Sequence, residues 1–85
     1  MFVRKVCVKN NIGLHSKPAT NFVKKANEFK ALIYVTKNED SVNAKSLLGV
    51  LSLGIMGGIT IKISAEGVDE EQAVETLVEF LESLS

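Results

Sequence analysis

The sequence has little of the residue types that build disulfide-linked or metal-held folds. Cysteine, histidine and proline each occur once in 85 residues, and tryptophan is absent. The single cysteine, Cys7, excludes an internal disulfide, and its strand-like surroundings favour a packing role over a nucleophilic one. One histidine and one distant cysteine do not make a metal site, so we expect neither a metal nor a cofactor. Hydrolytic catalysis is also poorly supported, since His15 has no second histidine or neighbouring acid to complete a triad.

Long apolar runs are absent as well. No stretch approaches the about 18 consecutive apolar residues of a membrane span, and we identify no secretory leader. We therefore expect a cytoplasmic protein without membrane insertion. Ten basic and ten acidic residues give a net charge of zero, which argues against nucleic-acid binding. With 46% apolar residues and no linker or repeat, residues 1–85 should form one small domain, which we expect to be monomeric.

The charges are sorted along the chain although they cancel. Residues 1–45 contain nine Lys or Arg against three Asp or Glu, and residues 46–85 contain one against seven. This polarity predicts a basic face near His15 that meets acidic protein partners. Lys17 and Lys24 are seven residues apart, so they lie on one side of a helix. The alternative is that these lysines simply form the solvent-exposed side of the helix and bind no partner.

Hydrophobic periodicity predicts the order of strands and helices. The order is β-α-β-β-α-β-α, which indicates an α+β fold. We expect an open-faced two-layer sandwich, in which a four-stranded antiparallel sheet carries three helices on one face. The first helix is predicted over residues 16–27. The four strands are predicted over residues 2–9, 32–37, 40–44 and 59–65.

The start of the last helix can be predicted in more detail. Asp69 and Gln72 have the spacing of a capping box, with Val68 and Ala73 as the accompanying hydrophobic staple. Apolar residues at helical spacing then predict one buried side of this helix. They are Val74, Leu77, Val78, Leu81 and Leu84.

Residues 13–20, Gly-Leu-His-Ser-Lys-Pro-Ala-Thr, combine the only histidine and the only proline at the start of a helix. Pro18 suits the first turn, where an N–H would have had no partner, so His15 should lie at or just before the helix N-terminus. Anions are attracted there, whereas the cation Lys17 is disfavoured by roughly 0.3–1 kcal/mol unless an anion binds. A neutral imidazole beside such a site can accept and release a phosphoryl group. The alternative is an ordinary cap residue or surface histidine.

A second candidate segment begins at Ser46. This serine suits the N-cap of a short helix, a role worth about 0.5–2 kcal/mol relative to alanine. Within that helix we expect Val50 and Leu53 to face the core, while the other side forms a partly exposed apolar patch beside His15. The alternative, in which Leu47 and Leu51 belong to the core, stays open on spacing alone. This leucine patch consists of Leu47, Leu48 and Leu51.

Three blocks of the sequence resemble the HPr family, the histidine-containing phosphocarriers of the bacterial phosphoenolpyruvate-dependent sugar phosphotransferase system. Residues 13–19 resemble the active-site segment of that family, residues 42–54 its regulatory-serine segment, and residues 61–70 its last strand and the turn into the final helix. The blocks occur in family order, so the resemblance extends over essentially the whole chain. One departure is Lys17, where the family usually has arginine. Lysine binds phosphate as a point charge and lacks the planar two-pronged donor set of arginine.

The resemblance implies a phosphoryl relay rather than an enzyme with its own turnover. Enzyme I, phosphorylated from phosphoenolpyruvate, would donate to His15, at Nδ1 in the family, and A-type domains of sugar-specific enzyme II would receive the group. Lys17 and the backbone N–H groups of Ser16 and Lys17 would steady the phosphoryl oxygens. Ser46 matches a serine that a dedicated kinase phosphorylates in many members, which implies a Ser46 kinase/phosphorylase and a transcriptional regulator as further partners. The residues expected to contact partners are Thr20, Lys24, Lys45, Leu47, Leu48 and Leu51.

Three other functions are compatible with the sequence. A regulatory HPr-like protein would act through Ser46 and the leucine patch, with His15 as a relic, and would acquire no acid-labile phosphate from enzyme I. A nitrogen-related phosphotransferase relay would use His15 with other partners. A small-ligand-binding α+β module would place His15 in a concave pocket, whereas a carrier would present it on an open surface.

Overall fold

The computed structural model describes residues 1–9, 13–14 and 16–84. Strands and helices follow one another in the predicted order. None of the helices in these ranges has the length and apolarity that crossing a membrane requires. The elements are β1 Phe2–Cys7, α1 Lys17–Ala26, β2 Leu32–Lys37, β3 Asp40–Asn43, α2 Leu47–Ser52, β4 Thr60–Glu66 and α3 Glu70–Ser83.

The four strands form one antiparallel sheet in the order β1-β4-β2-β3. Alternate residues of each strand face the helices, and the register aligns Ile61 with Val6 and Ile63 with Val35. All four side chains are buried, as the period-two pattern of the strands predicts. The prediction of an open-faced α+β sandwich with a four-stranded antiparallel sheet is confirmed.

The core lies between this sheet and the helices. α3 packs on β1, β4 and β2, and α1 packs on α2 and α3. Phe22 of α1 is fully buried, and its ring centroid lies 6.3 Å from that of Phe80 in α3. Leu77 and Leu81 belong to the same core. The predicted buried side of α3 is confirmed except at Leu84, the C-cap residue, which is only partly buried.

Several predicted boundaries differ from the observed ones by one or two residues. β1 ends at Cys7, yet pairing continues in part, since the Val8 N–H donates to the Ile59 carbonyl at 2.9 Å. β3 ends at Asn43 rather than at Ala44. Ala44 is buried and donates its N–H to Ile33 at 2.9 Å, so the chain turns inward there toward α2.

The predicted capping box and hydrophobic staple of α3 are wrong. Asp69 is the N-cap residue, but its side chain makes no hydrogen bond to the helix. Its carboxylate oxygens instead accept from the N–H groups of Lys30 and Ala31, each at 2.9 Å. The side chain of Val68 is 89% exposed and has no staple contact. The reason is competition: two N–H groups of the loop before β2 need an acceptor, and Asp69 supplies it.

Glu70, rather than the predicted capping box, accepts a backbone hydrogen bond at the turn into α3. Its Oε1 accepts from the Gly67 N–H at 3.0 Å, and its Oε2 lies 3.4 Å from the amino terminus of Met1. Gly67 has a φ of +152°, and a Cβ on it would lie 2.7 Å from the Ala31 Cα. The turn into α3 is therefore packed tightly against the loop that Asp69 holds.

Candidate functional site

The segment leading to position 15 is anchored to the turn after α2. His15 itself lies outside the described residues, but Leu14 before it and Ser16 after it are described. Leu14 is buried, and its N–H donates to the Ile55 carbonyl at 2.9 Å. Gly13 has a φ of +81°, and a Cβ on it would lie 2.2 Å from the same carbonyl oxygen. Only glycine fits there, so sequence and packing together fix the chain just before position 15.

Ser16 has an unusual backbone conformation at the N-cap of α1. Its φ is 55° and its ψ is −129°, a region that costs a residue with a Cβ about 1–3 kcal/mol. The Ser16 side chain makes no capping hydrogen bond. Its carbonyl accepts from both the N–H and the Oγ1 of Thr20, at 3.1 and 3.2 Å. The first N–H groups of α1 are therefore not used by the cap side chain.

Lys17 starts α1 and is exposed, followed by Pro18 in the first turn as predicted. The first turn contains no acidic residue. In the described ranges of the chain, the ion pairs join Met1 to Glu70 and Arg4 to Glu75, so neither includes Lys17. Positive charge at the positive end of the helix dipole is thus left uncompensated, an arrangement that favours an incoming anion.

Ser46 is the N-cap of α2, as predicted. Its backbone is extended, with φ −109° and ψ 116°, and its Oγ accepts from the Gly49 N–H at 3.1 Å. The side chain is half-buried. α2 is only six residues long, and this bond satisfies one of the N–H groups at its start that have no intrahelical partner.

The predicted orientation of α2 is confirmed. Val50 is fully buried and Leu53 is 8% exposed. The alternative, in which Leu47 and Leu51 belong to the core, is wrong. The exposed fractions of the leucine patch are 38% for Leu47, 81% for Leu48 and 40% for Leu51.

Two exposed features adjoin the patch and the segment at position 15. α1 packs against α2, and its residues Thr20 and Lys24 are exposed. Met56 is 58% exposed, and its Cα would lie 2.6 Å from a Cβ on Gly13. The periodicity of α2 ends before Met56, so no sequence pattern predicts this contact.

Lys45 has a structural contact that the sequence did not predict. Its Nζ donates to the Phe29 carbonyl at 2.6 Å, and its own carbonyl accepts from the Asn27 side chain at 3.2 Å. The residue is half-buried. Lys45 therefore joins the end of α1 to the start of α2, and its predicted contact with partners stays a prediction.

A second lysine, Lys37, was missed by sequence reasoning. Its Nζ donates to the carbonyls of Leu53 and Gly54 at 3.0 and 3.1 Å, at the C-terminal end of α2. A signal was available, because Lys37 continues the alternation of Ile33 and Val35 toward the helix-facing side of β2. A cation on the inner side of a strand needs acceptors, and the end of a helix supplies them.

A depression of about 280 Å³ lies on the sheet. None of the described residues that line it belongs to residues 13–14 or 16–20, and the hypothesis of a ligand pocket at His15 stays a prediction. Its lining residues are Lys5, Thr36, Asn38, Thr60, Ile61 and Lys62.

The structure is thus an open α+β sandwich in which the single histidine of the sequence stands between the anchored Leu14 and the strained Ser16. A family model described as the PTS HPr component phosphorylation site matches residues 2–83. The chain belongs to the HPr family of the phosphotransferase system (PTS).

Relatives of two kinds are similar to this chain. It is 44% identical over 82 residues to the HPr-like protein Crh of Halalkalibacterium halodurans, covering 96% of this chain and 98% of that protein. It is 43% identical over 84 residues to the phosphocarrier protein HPr of Vibrio cholerae serotype O1, covering 99% of each. The family is therefore shared by proteins with two different names.

Solved structures agree on the fold. The crystal structure of HPr-C-His from Thermoanaerobacter tengcongensis superposes with a TM-score of 0.95 at 46% identity, covering 98% of this chain and 93% of that one. Three of the similar structures are described as dimers, so the monomeric state predicted for this chain stays a prediction.

Proposed function

We propose that this protein is a phosphoryl carrier, which accepts a phosphoryl group on His15 from phosphorylated enzyme I. It passes the group to A-type domains of sugar-specific enzyme II and has no turnover of its own. The observation that carries the proposal is the strained backbone of Ser16, directly after the single histidine of an HPr-family chain. Strain of this kind persists where the surrounding structure enforces it, and it is concentrated at functional sites.

The chemistry requires one nucleophile and a set of fixed hydrogen-bond donors. A lone pair of the neutral imidazole of His15 attacks phosphorus, and the bond from phosphorus to enzyme I breaks as the new N–P bond forms. Negative charge on the three phosphoryl oxygens is stabilised by the N–H groups of Ser16 and Lys17 and by the Lys17 ammonium. In the second transfer, His15 is the leaving group and regains its lone pair.

The surroundings of Lys17 support this role. Lys17 is exposed and starts α1 without an acidic residue in the first turn, so its ammonium is available for the transferred group. Pro18 has no N–H, which leaves the amide donors of this turn to Ser16, Lys17 and Ala19. An anion bound there would meet positive charge from both the side chain and the helix dipole.

Partners would dock on the leucine patch and the neighbouring side of α1. The patch offers three exposed apolar side chains, and Lys17 and Lys24 add positive charge beside it. An apolar centre with a charged rim is the usual composition of a protein interface. A relay must release each partner quickly, so we expect an interface below about 1,200 Å².

Ser46 would be a regulatory phosphorylation site at the border of the same surface. A phosphate on its Oγ would add a charge of about −1.5 to −2 next to Leu47, at the start of α2. The cap position tolerates negative charge, so the fold should change little. Docking of acidic partners should weaken, while a kinase/phosphorylase and a transcriptional regulator are the partners that would use this state.

A labelling experiment tests the proposal. The protein is incubated with enzyme I and labelled phosphoenolpyruvate, in parallel with His15→Ala and Ser46→Ala variants. We expect one acid-labile phosphate in the wild type and in Ser46→Ala, and none in His15→Ala. Adding a sugar-specific A-type domain should then remove the label. Absence of label in the wild type would refute the relay.

The second candidate is a regulatory HPr-like protein that acts through Ser46 and the leucine patch. The 44% identity to a relative named Crh favours it. The labelling experiment separates this candidate from the carrier, because a purely regulatory protein would be phosphorylated by a Ser46 kinase but not by enzyme I. A nitrogen-related relay would be labelled by its own enzyme I and would transfer poorly to sugar-specific domains. All three candidates would act in the cytoplasm.

A further inference from the structure

Lys37, the last residue of β2, uses its side chain on the helix layer rather than on its strand partner. In the sheet register Lys37 is opposite Asp40, and neither ion pair among residues 1–9, 13–14 and 16–84 joins the two. Its Nζ instead donates to the carbonyls of Leu53 and Gly54, at 3.0 and 3.1 Å. The ammonium is therefore held by two backbone acceptors outside the sheet.

These acceptors lie where α2 ends. A helix leaves its last carbonyls without intrahelical partners and has the negative end of its dipole there. In α2, which has only six residues, the C-cap is Leu53 and no basic residue occurs in the last turn. Lys37 supplies from another element the cation that the helix lacks. It thereby fixes the place at which the chain leaves α2.

The next residue along the chain connects this contact to the relay segment. Ile55 is fully buried, and its carbonyl accepts the Leu14 N–H at 2.9 Å. Leu14 directly precedes His15, and Gly13 packs on the same carbonyl. A shift of residues 53–55 would therefore displace the backbone that enters position 15.

We propose that Lys37 is a positioning residue of the phosphoryl relay. Its ammonium holds residues 53–55 in place, and Ile55 in turn holds Leu14 beside His15. The kinetic consequence rests on the proposed function of His15, whereas the contact itself can be tested without any partner. Lys37 would not touch the phosphoryl group.

Three variants separate this role from general stability. Lys37→Met keeps most of the aliphatic stem and removes the donor. Lys37→Arg restores a cationic donor at the same place. Lys62→Met is the matched control, since Lys62 is an exposed lysine of the neighbouring strand β4.

The first measurement is amide hydrogen exchange by NMR, which reports local opening. In Lys37→Met we expect the Leu14 amide to exchange about three- to tenfold faster, relative to amides in the centre of β4. Global destabilisation would accelerate the β4 amides at least as much as Leu14, so a rise in the ratio isolates the local effect. Lys37→Arg should restore the wild-type ratio, and Lys62→Met should leave it unchanged.

The second measurement uses the protein as the substrate of enzyme I. Lys37→Met should lower kcat for phosphorylation of His15 about two- to fivefold with little change in KM, because the segment is misplaced while the docking surface is intact. Lys37→Arg should recover most of the loss.

Each result bears on one claim. An unchanged Leu14 exchange ratio in Lys37→Met, or an equal effect of Lys62→Met, would overturn the proposal. So would a change in KM alone. If the wild type accepts no phosphoryl group, the proposed function fails, and the exchange ratio still shows whether Lys37 holds the segment.

Discussion

Gly13 and Ile55 approach each other more closely than any side chain at position 13 would allow. A Cβ on Gly13 would lie 2.2 Å from the Ile55 carbonyl oxygen and 2.6 Å from the Met56 Cα. Both of these atoms belong to backbone, which cannot move aside as the end of a flexible side chain can. Glycine is thus required at position 13, two residues before His15, by packing as well as by its φ of +81°.

Gly13→Ala should therefore destabilise the protein by about 2–4 kcal/mol, from the left-handed conformation and the overlap together. Gly58→Ala is the matched control, because Gly58 has a φ of +88° and no atom within 4 Å of its Cβ position. It should lose only about 1–2 kcal/mol. Chemical denaturation measures both, and equal losses would contradict the close contact at Gly13.

Local patterns predicted most of the fold because they depend on residues close in sequence. The alternation around Ile61 and Ile63 fixes which side of β4 is buried, and no distant contact is needed to find it. The same holds for Ser46, whose cap bond to Gly49 spans three residues. Helical spacing alone left two orientations of α2 open, and the exposed fractions of Leu47 and Leu51 decide between them.

Contacts between distant segments could not be predicted in this way. Asp69 satisfies a local capping pattern, yet its carboxylate bonds to Lys30 and Ala31, 39 and 38 residues earlier. The strain at Ser16 has no marker in its residue type, because serine at positive φ results from what surrounds it. The contact of Lys37 with α2 likewise depends on how the layers meet.

Lys17→Arg should raise the rate of phosphoryl transfer from enzyme I. Arginine offers two parallel donors to phosphoryl oxygens, whereas lysine offers a point charge. Lys17 is exposed, so the substitution should alter stability by less than about 0.5 kcal/mol. Lys30→Arg, on an exposed lysine beyond the end of α1, is the control and should leave the rate unchanged. An equal or lower rate in Lys17→Arg would count against a role of this side chain in transfer.

Ser46→Ala should cost about 0.5–2 kcal/mol, since the Gly49 N–H loses its acceptor. Ser46→Asp keeps an acceptor at the N-cap and should cost less, with added negative charge near the helix start. Thermal or urea unfolding gives the free energies, and exchange of the Gly49 amide gives the local effect. Ser46→Asp being the less stable of the two variants would disprove the capping role assigned here.

Leu48→Ala should weaken binding to enzyme I and to A-type domains without changing stability by more than about 0.5 kcal/mol. Leu48 is 81% exposed, so its truncation leaves no cavity. Val68→Ala is the matched control, because Val68 is 89% exposed on the turn before α3. Titration with each partner, followed by calorimetry or NMR, compares the two. Equal binding of both variants would remove the leucine patch from the docking surface.

Two carboxylates at the start of α3 should make stability depend on pH. The hydrogen bond from the Lys30 N–H, assisted by that from Ala31, lowers the pKa of Asp69 below its ordinary 3.8 despite partial desolvation. The Gly67 N–H likewise lowers the pKa of Glu70 below its ordinary 4.5. A lowered pKa in the folded state means that the unfolded chain binds protons first as the pH falls. The stabilisation is therefore complete above the unfolded values and is lost as the pH falls through the folded ones.

Asp69→Asn removes one of these titrations and leaves a single carbonyl oxygen for two N–H donors. The variant should be less stable than the wild type at neutral pH, and the difference should shrink steadily as the pH falls below about 4. Gln72→Ala is the control: Gln72 is exposed, does not titrate, and should differ from wild type by a small amount that is constant with pH. Urea unfolding between pH 7 and pH 2.5 measures both differences. Since the gap for Asp69→Asn reflects protons taken up by the Asp69 carboxylate, a gap that stays constant or widens in acid would show that Asp69 does not hold the loop through its charged form.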